Sequence, residues 1–319
     1  MATVFKTLLN SDIASTRTLL NEAIPITGTI VSGTYNDENI RYGAANMFES
    51  VYDYPYQSSS ANHIFDITYG YSSDLSGANT QNAEKINIYN TMAQVLVGYD
   101  STGSIRKFDA DGNYSTAAGQ MDAAVFINYS RLLSKDEIKK GQYTLETTAN
   151  TIGDYGAASN YRVGSPAGDF APLYTASVAP YGDSVGLIFY QAGIVVLTAS
   201  ADTFADAPTY TGSFSITGAA DDVRESWIDN DFQNTTELNS TIYFCRASNG
   251  EFNYSSNPTY LSSSEIVVKD GDSNANPFTY ITTVGLYSAD NELLAVAKLS
   301  EPIKKDPTTE LTFRVRLDY

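Results

Sequence analysis

The sequence predicts a mainly β protein with a few short helices, its strands arranged in antiparallel, sandwich-like sheets. Three observations carry that expectation. The closing stretch LTFRVRLDY (311–319) alternates apolar and polar side chains, as a strand with one buried face does. The longest apolar run, VGLIFYQAGIVVLTA (185–199), is rich in β-branched residues and is broken at Gln191-Ala192-Gly193, which reads as two buried strands joined by a turn. Tyrosine dominates the aromatics, with 24 Tyr against one Trp and one His, and it favours strands and half-wet contact surfaces. Polar loops of Ser, Asn, Thr, Gly and Asp separate the strand candidates.

Taken in order, residues 3–24 are expected to form a short leading helix, capped by Ser11 or Asp12 and stopped by Pro25. SVYDYPYQ (50–57) sets Tyr52, Tyr54 and Tyr56 at alternate positions, so an extended chain shows them on one face. Pro55 confines this piece to a sheet edge or an exposed arm. EKINIYNTMAQVLV (84–97) reads as a helix, with Ile88, Met92, Val95 and Leu96 at helical spacing and Gly98 placed to end it. SIRKFDADGNYS (104–115) contains Asp109-Ala110-Asp111-Gly112-Asn113. A calcium EF-hand wants acids at positions 1, 3 and 5 and glycine at 6, whereas Gly112 stands at 4, so a hairpin turn is the expected structure.

Between 124 and 146, AVFINYS and QYTLE read as strands around a one- or two-turn helix with the capping-box spacing Ser134-x-x-Glu137 and an exit at Gly141. Residues 147–182, rich in Gly, Ala, Ser, Tyr and Pro, read as long loops and an interaction surface. A weakly marked boundary near 205 divides the chain into a β-rich region with short helices, 1–205, and a second domain, 206–319. DDVRESWIDNDF (221–232) reads as a short helix, since Val223 and Trp227 lie four apart, as do Ile228 and Phe232. STIYFCRA (240–247), SEIVVK (264–269) and both arms of ITTVGLYSADNELLAVAKL (281–299) read as strands. No fixed-period repeat is present.

The composition argues against most chemistry. With 19 Lys+Arg and 37 Asp+Glu the formal charge is −18, which repels phosphate backbones, so no nucleic-acid partner is expected. Lys139-Lys140 and Lys304-Lys305 are short basic pairs beside acids, and read as solvated faces. Cys245 is the single cysteine, which excludes an intramolecular disulfide and suits a reducing compartment. No secretory signal is expected at MATVFKTLLNSD, and the Asn-x-Ser/Thr sequons at Asn113, Asn128, Asn234, Asn239 and Asn253 are read as products of composition. The run 185–199 is too short and too interrupted for a membrane span.

His63, in ANHIFDI, is the only candidate imidazole base, and its neighbours place it on a strand in a structural or surface role. One His and one Cys cannot assemble a zinc site, and no phosphate-binding or dinucleotide-binding glycine loop occurs. No catalytic residue, cofactor or metal is therefore assigned. Paired carboxylates of a glycosidase leave no mark that 37 acids would reveal, and Tyr-rich β proteins also bind sugars by stacking.

VGLYSADNELLAVAKLSEPIKK (284–305) resembles a segment of phage tail-fibre and baseplate-docking proteins, in which a "GL(Y/F)-turn-acid/Asn-LLAVA" hairpin follows a Thr/Val-rich strand. Val284, Gly285, Leu286, Tyr287, Asp290, Asn291, Leu293, Leu294, Ala295 and Val296 carry the likeness. NGEFNYSSNPTY (249–260) and LTFRVRLDY are similar to virion structural proteins of contractile-tailed phages, notably those of cyanobacteria. The resemblance implies a β-sandwich-like docking domain over 206–319, and a non-enzymatic place in the tail, baseplate, neck or fibre-attachment apparatus. It implies other virion proteins and further copies of the chain as partners, and assembly in a host cytoplasm into a virion. The docking hairpin would be Val284, Leu286, Tyr287, Leu293, Leu294 and Val296. Its second arm, Leu293–Ala297, is apolar at every position and is expected to be covered on both sides. The alternative function is a surface adhesin or carbohydrate-binding module.

Overall fold

A computed structural model describes residues 5–26, 37–75, 81–115, 119–200, 203–204, 215–255 and 257–319. Its first strands are β1 (Ile13–Pro25), β2 (Ile40–Tyr42), β3 (Glu49–Tyr52), β4 (His63–Tyr71), β5 (Ala123–Tyr129) and β6 (Glu137–Ile138). The middle strands are β7 (Thr144–Thr147), β8 (Thr151–Gly153), β9 (Arg162–Ser165), β10 (Gly168–Tyr174), β11 (Ser184–Phe189) and β12 (Ile194–Thr198). The last are β13 (Trp227–Ala247), β14 (Leu261–Ser262), β15 (Glu265–Ile266), β16 (Thr279–Tyr287), β17 (Leu293–Lys305) and β18 (Leu311–Asp318). The α-helices are α1 (Asn82–Leu96), α2 (Arg131–Ser134) and α3 (Ile216–Ser226). Strand takes up 46% of the chain and helix 16%, so the protein is mainly β, as the alternation and β-branched runs predict. Two compact units form, one of Leu19–Thr236 and one of Met1–Thr18 with Glu237–Tyr319. The boundary read from the sequence near 205 lies outside the described residues.

The larger unit is built on an antiparallel sheet in the order β7-β8-β10-β11-β12-β5-β4-β3-β2. Near its middle, Phe126 of β5 sits between Thr68 of β4 and Val196 of β12. Both faces of these central strands are covered. Val125, Ile127, Val195 and Leu197 join a core that includes Ile216, Ala219, Ala220 and Val223 of α3. Ala124, Phe126, Val196, Leu187 and Phe189 join a second core with Tyr89, Ala93 and Leu96 of α1. Coverage on both sides is why 185–199 is apolar at consecutive positions rather than alternating. Each such side chain contributes roughly 1.5–3 kcal/mol by burial.

Helix α1 forms where the spacing predicts it, and Gly98, at φ +78°, closes it by donating to the Ala93 carbonyl at 2.9 Å. Its buried stripe is Lys85, Tyr89, Ala93 and Leu96; Val95 points outward and is exposed. The reason is a close approach at Gly70 of β4. A Cβ there would lie 2.7 Å from the Lys85 carbonyl oxygen and 2.9 Å from the Tyr89 nitrogen. The helix backbone rests on the sheet at the one residue that has no side chain, and that contact fixes its rotation.

Several local expectations are corrected. Residues 13–25 form strand β1 and not a helix. They carry Ile13, Thr16, Thr18 and Ile24, and the sheet ladder offered by β13 outweighs a helix that would have no partner. Ser134 does not cap a helix; it ends α2, and the following Glu137–Ile138 pairs with Thr235 and Asn234 of β13. The stretch 147–182 contains three strands, β8, β9 and β10; Gly153, Gly164 and Pro172 lie within them, and Pro166-Ala167 makes the turn between β9 and β10. Helix α3 begins earlier than expected, with Ser215 Oγ accepting from the Gly218 N–H at 2.9 Å, and it stops at Ser226. Trp227 opens β13 opposite Thr147 and stacks on Phe65 at 4.8 Å. Strand β3 is internal, between β2 and β4, and ends at Tyr52; Pro55 lies beyond it, so the three tyrosines share no strand face. The strand expected at 264–269 shrinks to Glu265–Ile266.

Glu49 of β3 is fully buried, and among the described residues neither carboxyl oxygen has a hydrogen-bond partner. Burial and the nearby Asp221 carboxylate of α3 push its pKa up to about 8, against a smaller opposite effect of Arg224. The acid is therefore neutral in the folded protein at neutral pH.

In the smaller unit, Ser240–Ala247 of β13 pairs antiparallel with β18. Leu311, Phe313, Val315 and Leu317 are each more buried than the residues between them, so the closing strand has the one buried face that its alternation predicts. Beside it, β16 and β17 form a hairpin, and β14 and β15 a shorter one. Lys305 is fully buried where β17 ends. Its ammonium donates to Asn253 Oδ1 at 2.7 Å and the Asp306 carbonyl at 2.9 Å, which ties the 249–253 loop to the hairpin base.

Gly70→Ala is expected to cost about 1–3 kcal/mol, since helix backbone must move to admit the methyl. Gly250→Ala, in open space, should stay within about 0.5 kcal/mol; chemical denaturation of both checks the contrast. Glu49 gives a pH signature. The unfolded chain loses its proton near pH 4.5, while the folded protein holds it to about pH 8. Its contribution is thus fully present below pH 4.5, falls by about 1.4 kcal/mol per pH unit above that, and is gone past about pH 8. Glu49→Gln should remove this slope, gaining on the wild type as pH rises through the window. Parallel stability curves from urea unfolding would contradict the buried acid. Val315→Asp should cost more than about 2 kcal/mol by burying a charge, and Arg314→Ser on the opposite face less than about 0.5 kcal/mol. Equal melting temperatures would rule out the half-buried strand.

Candidate functional site

The β16–β17 hairpin is closed by its own turn residues. Ser288 N–H donates to the Glu292 carbonyl at 2.9 Å, Asn291 N–H to the Ser288 carbonyl at 3.1 Å, and Glu292 N–H to Ser288 Oγ at 3.1 Å. Asn291 takes φ +64°, a left-handed conformation that Asn tolerates better than most residues. The arms pair Val284 with Ala297, Gly285 with Val296, Leu286 with Ala295 and Tyr287 with Leu293. Leu294 has no partner in this register and forms a bulge.

The pairing sorts the side chains by face. Val284, Leu286, Ala295, Ala297 and Leu299 are half-buried. Val284, Ala297 and Leu299 line, with Phe313 and Val315 of β18, a cavity of about 280 Å³. The other face is open: Tyr280 is 53% exposed, Tyr287 47%, Leu293 53%, Leu294 69% and Val296 51%. Coverage of the second arm on both sides is thus not provided by the described chain, and the bulge at Leu294 adds one more apolar side chain to the open face. Phe5 extends this face by an edge-on contact with Tyr287 at 5.3 Å, and Lys6 anchors that segment through an ion pair with Glu251 at 2.5 Å. At about 200 Å² per large side chain, the strip exposes roughly 500 Å² of apolar surface, a size that is often functional on one molecule.

A concave site of about 440 Å³ lies in the larger unit, lined by Tyr143, Tyr155, Phe232, Asp154, Asp231 and neighbouring backbone. Burial pushes the Asp154 carboxyl up to about 6. Both of its oxygens are engaged, Oδ1 by the Tyr143 N–H at 2.9 Å and Oδ2 by the Gly141 N–H at 2.6 Å and the Tyr190 hydroxyl at 2.8 Å. This carboxyl holds a turn in place and is not free for acid–base work.

His63 opens β4, and its Nε2 lies 2.8 Å from Asp66 Oδ1. Ser50 Oγ donates to the same oxygen at 2.6 Å. The order is Ser–Asp–His, with the hydroxyl on the carboxylate and not on the imidazole, so nothing here would activate a serine nucleophile. The Cys245 thiol is half-buried and pushed up by burial and by Asp12, the opposite of a reactive cysteine. Among the described residues no three His, Cys, Asp or Glu side chains are arranged to hold a metal, and no helix is long and apolar enough to cross a membrane.

Of the hairpin residues singled out in the sequence, the structure places Val284 and Leu286 on the half-buried face and brings Tyr287, Leu293, Leu294 and Val296 together on the open one. The aromatic cavity around Tyr143 escaped the sequence reading, since its walls come from segments near 24, 143, 155 and 232 that no local pattern links. Comparison with protein families, with characterised proteins and with solved structures finds no match.

Proposed function

We propose that the protein is a non-enzymatic structural component that works by docking, with the open face of the β16–β17 hairpin as its contact surface. Exposure of Tyr280, Tyr287, Leu293, Leu294 and Val296 on one rigid two-stranded element carries this reading. A strip of about 500 Å² is most of the roughly 800 Å² per partner that a standard interface needs. The resemblance of 249–319 to contractile-tailed phage proteins supports a place in a virion, in the tail, baseplate, neck or fibre-attachment apparatus. The partners in this reading are other virion proteins and further copies of the chain.

A carbohydrate-binding or adhesin role is the second reading, favoured by the 440 Å³ cavity, which has the half-buried Tyr155 and the carboxylates Asp154 and Asp231 among its lining residues. The two readings use different surfaces and separate cleanly. Leu294→Asp with Val296→Asp should leave stability within about 0.5 kcal/mol per site, because both side chains are exposed. The same pair should abolish self-association in sedimentation velocity and exclude the chain from purified particles. A wild-type chain that stays monomeric and is absent from particles would overturn the docking reading. A glycan array on which the wild type binds and Tyr155→Ala does not would establish the second.

A further inference from the structure

The loop between α1 and β5 carries Asp109-Ala110-Asp111-Gly112-Asn113, the run whose glycine is misplaced for an EF-hand. The loop is pinned at its base. Ala110 N–H donates to the Gly119 carbonyl at 2.8 Å and Met121 N–H to the Phe108 carbonyl at 2.9 Å. The buried Tyr89 hydroxyl donates to the Met121 carbonyl at 2.6 Å and accepts from the Phe108 N–H at 3.1 Å. Alternate side chains fold back on the backbone: Asp111 N–H donates to Asp109 Oδ1 at 3.1 Å, and Asn113 N–H to Asp111 Oδ1 at 2.6 Å. Asn113 Oδ1 accepts from the Ser115 N–H at 3.3 Å and from Ser115 Oγ at 2.6 Å. Turns of this kind are common and by themselves imply no ligand.

Asp109 is different. It is 1% exposed, among the described residues its Oδ2 has no hydrogen-bond partner, and the Asp111 carboxylate is close enough to help hold its pKa up, after burial. Among the described residues no Lys or Arg forms an ion pair with either acid. Arg162 reaches the loop, yet it donates to the Asp111 carbonyl, at 3.0 Å. Two carboxylates facing each other in a sheltered site repel unless something positive is shared between them.

We propose that Asp109, Asp111 and Asn113 form the seat of a hard divalent cation of the Ca²⁺ type. The two carboxylates supply the charge and Asn113 Oδ1 a neutral oxygen. An all-oxygen donor set with neither His nor Cys selects Ca²⁺ or Mg²⁺ over zinc. An irregular loop favours Ca²⁺, which accepts variable geometry, over Mg²⁺, which demands an octahedron and gives up its waters reluctantly. Two acidic ligands place the affinity at the weak end, a Kd of about 10⁻⁴–10⁻³ M. Binding would tie the loop tip to a base already locked to α1 and β5, so the bound ion should stabilise the larger unit.

The full chain, stripped with a chelator, is melted across a Ca²⁺ series and titrated with Tb³⁺ while tyrosine is excited, Tyr114 being next to the seat. The expected result is a saturable rise in melting temperature with Ca²⁺, a smaller one with Mg²⁺, and sensitised Tb³⁺ emission that Ca²⁺ competes away. Asp111→Asn should weaken both at least ten-fold, and Asp290→Asn, an exposed acid in the hairpin turn, should change neither. If Asp111→Asn fails to fold, Asn113→Ala takes its place. The proposal is overturned if the wild type shows neither response. It is equally overturned if the response survives unchanged in the seat variant or is the same for Mg²⁺, since that is general attraction to an acidic surface.

Discussion

Strand β5 is hydrogen-bonded on both edges and covered on both faces, and the larger unit is organised around it. Val125, Ile127 and Tyr129 feed one core, while Ala124 and Phe126 feed the other. Strands β4 and β12 hold its edges in register, so both layers are fixed relative to a single seven-residue segment. Helix α1 then lies where Gly70 lets its backbone touch the sheet, and α3 buries Ile216, Ala219, Ala220 and Val223 in the other core. A displacement of β5 by one residue would exchange the two faces and empty both cores at once.

This two-sided arrangement sets the role of tyrosine. Tyr89, Tyr129, Tyr143 and Tyr190 are almost fully buried, and each hydroxyl has a partner. Tyr129 bonds to Tyr143 at 2.8 Å and to Asn230 Oδ1 at 3.0 Å, and Asn230 donates onward to the Thr144 carbonyl at 2.7 Å. A chain of bonds thus runs through the core from β5 to β7 and β13. Phenylalanine at these positions would keep the packing and orphan the groups opposite. These tyrosines are core residues with polar tips, and the half-wet surface role belongs to others, such as Tyr280 and Tyr287.

The smaller unit follows another logic. Its hairpin has one half-buried face, which lines a cavity together with β18, and among the described residues only Phe5 reaches the open side. The tight turn at Ser288–Glu292 and the buried Lys305 fix the two ends of that element. In the proposed docking role, ends fixed in this way would lower the entropy lost on binding.

The sequence alone determined what depends on short-range pattern. Alternation in 311–319 announced a half-buried strand, β-branched runs around Gln191-Ala192-Gly193 announced β11 and β12, and Ser288–Glu292 between apolar arms announced a hairpin, because period and turn chemistry are local properties. Which four of the six hairpin residues point outward was not legible there, since it depends on the pairing register and the bulge at Leu294. Tertiary structure decided the rest. Residues 13–25 became a strand because β13 lies beside them, and the stripe of α1 turned toward Ala93 because Gly70 admits the backbone there. Ser134 ended a helix instead of starting one, since the chain beyond it pairs with β13. The cavity around Tyr143, the buried proton on Glu49 and the facing carboxyls of Asp109 and Asp111 depend on what surrounds them, in the first two cases on segments scores of residues away. Burial and charge proximity are properties of the surroundings, and no window of sequence contains them.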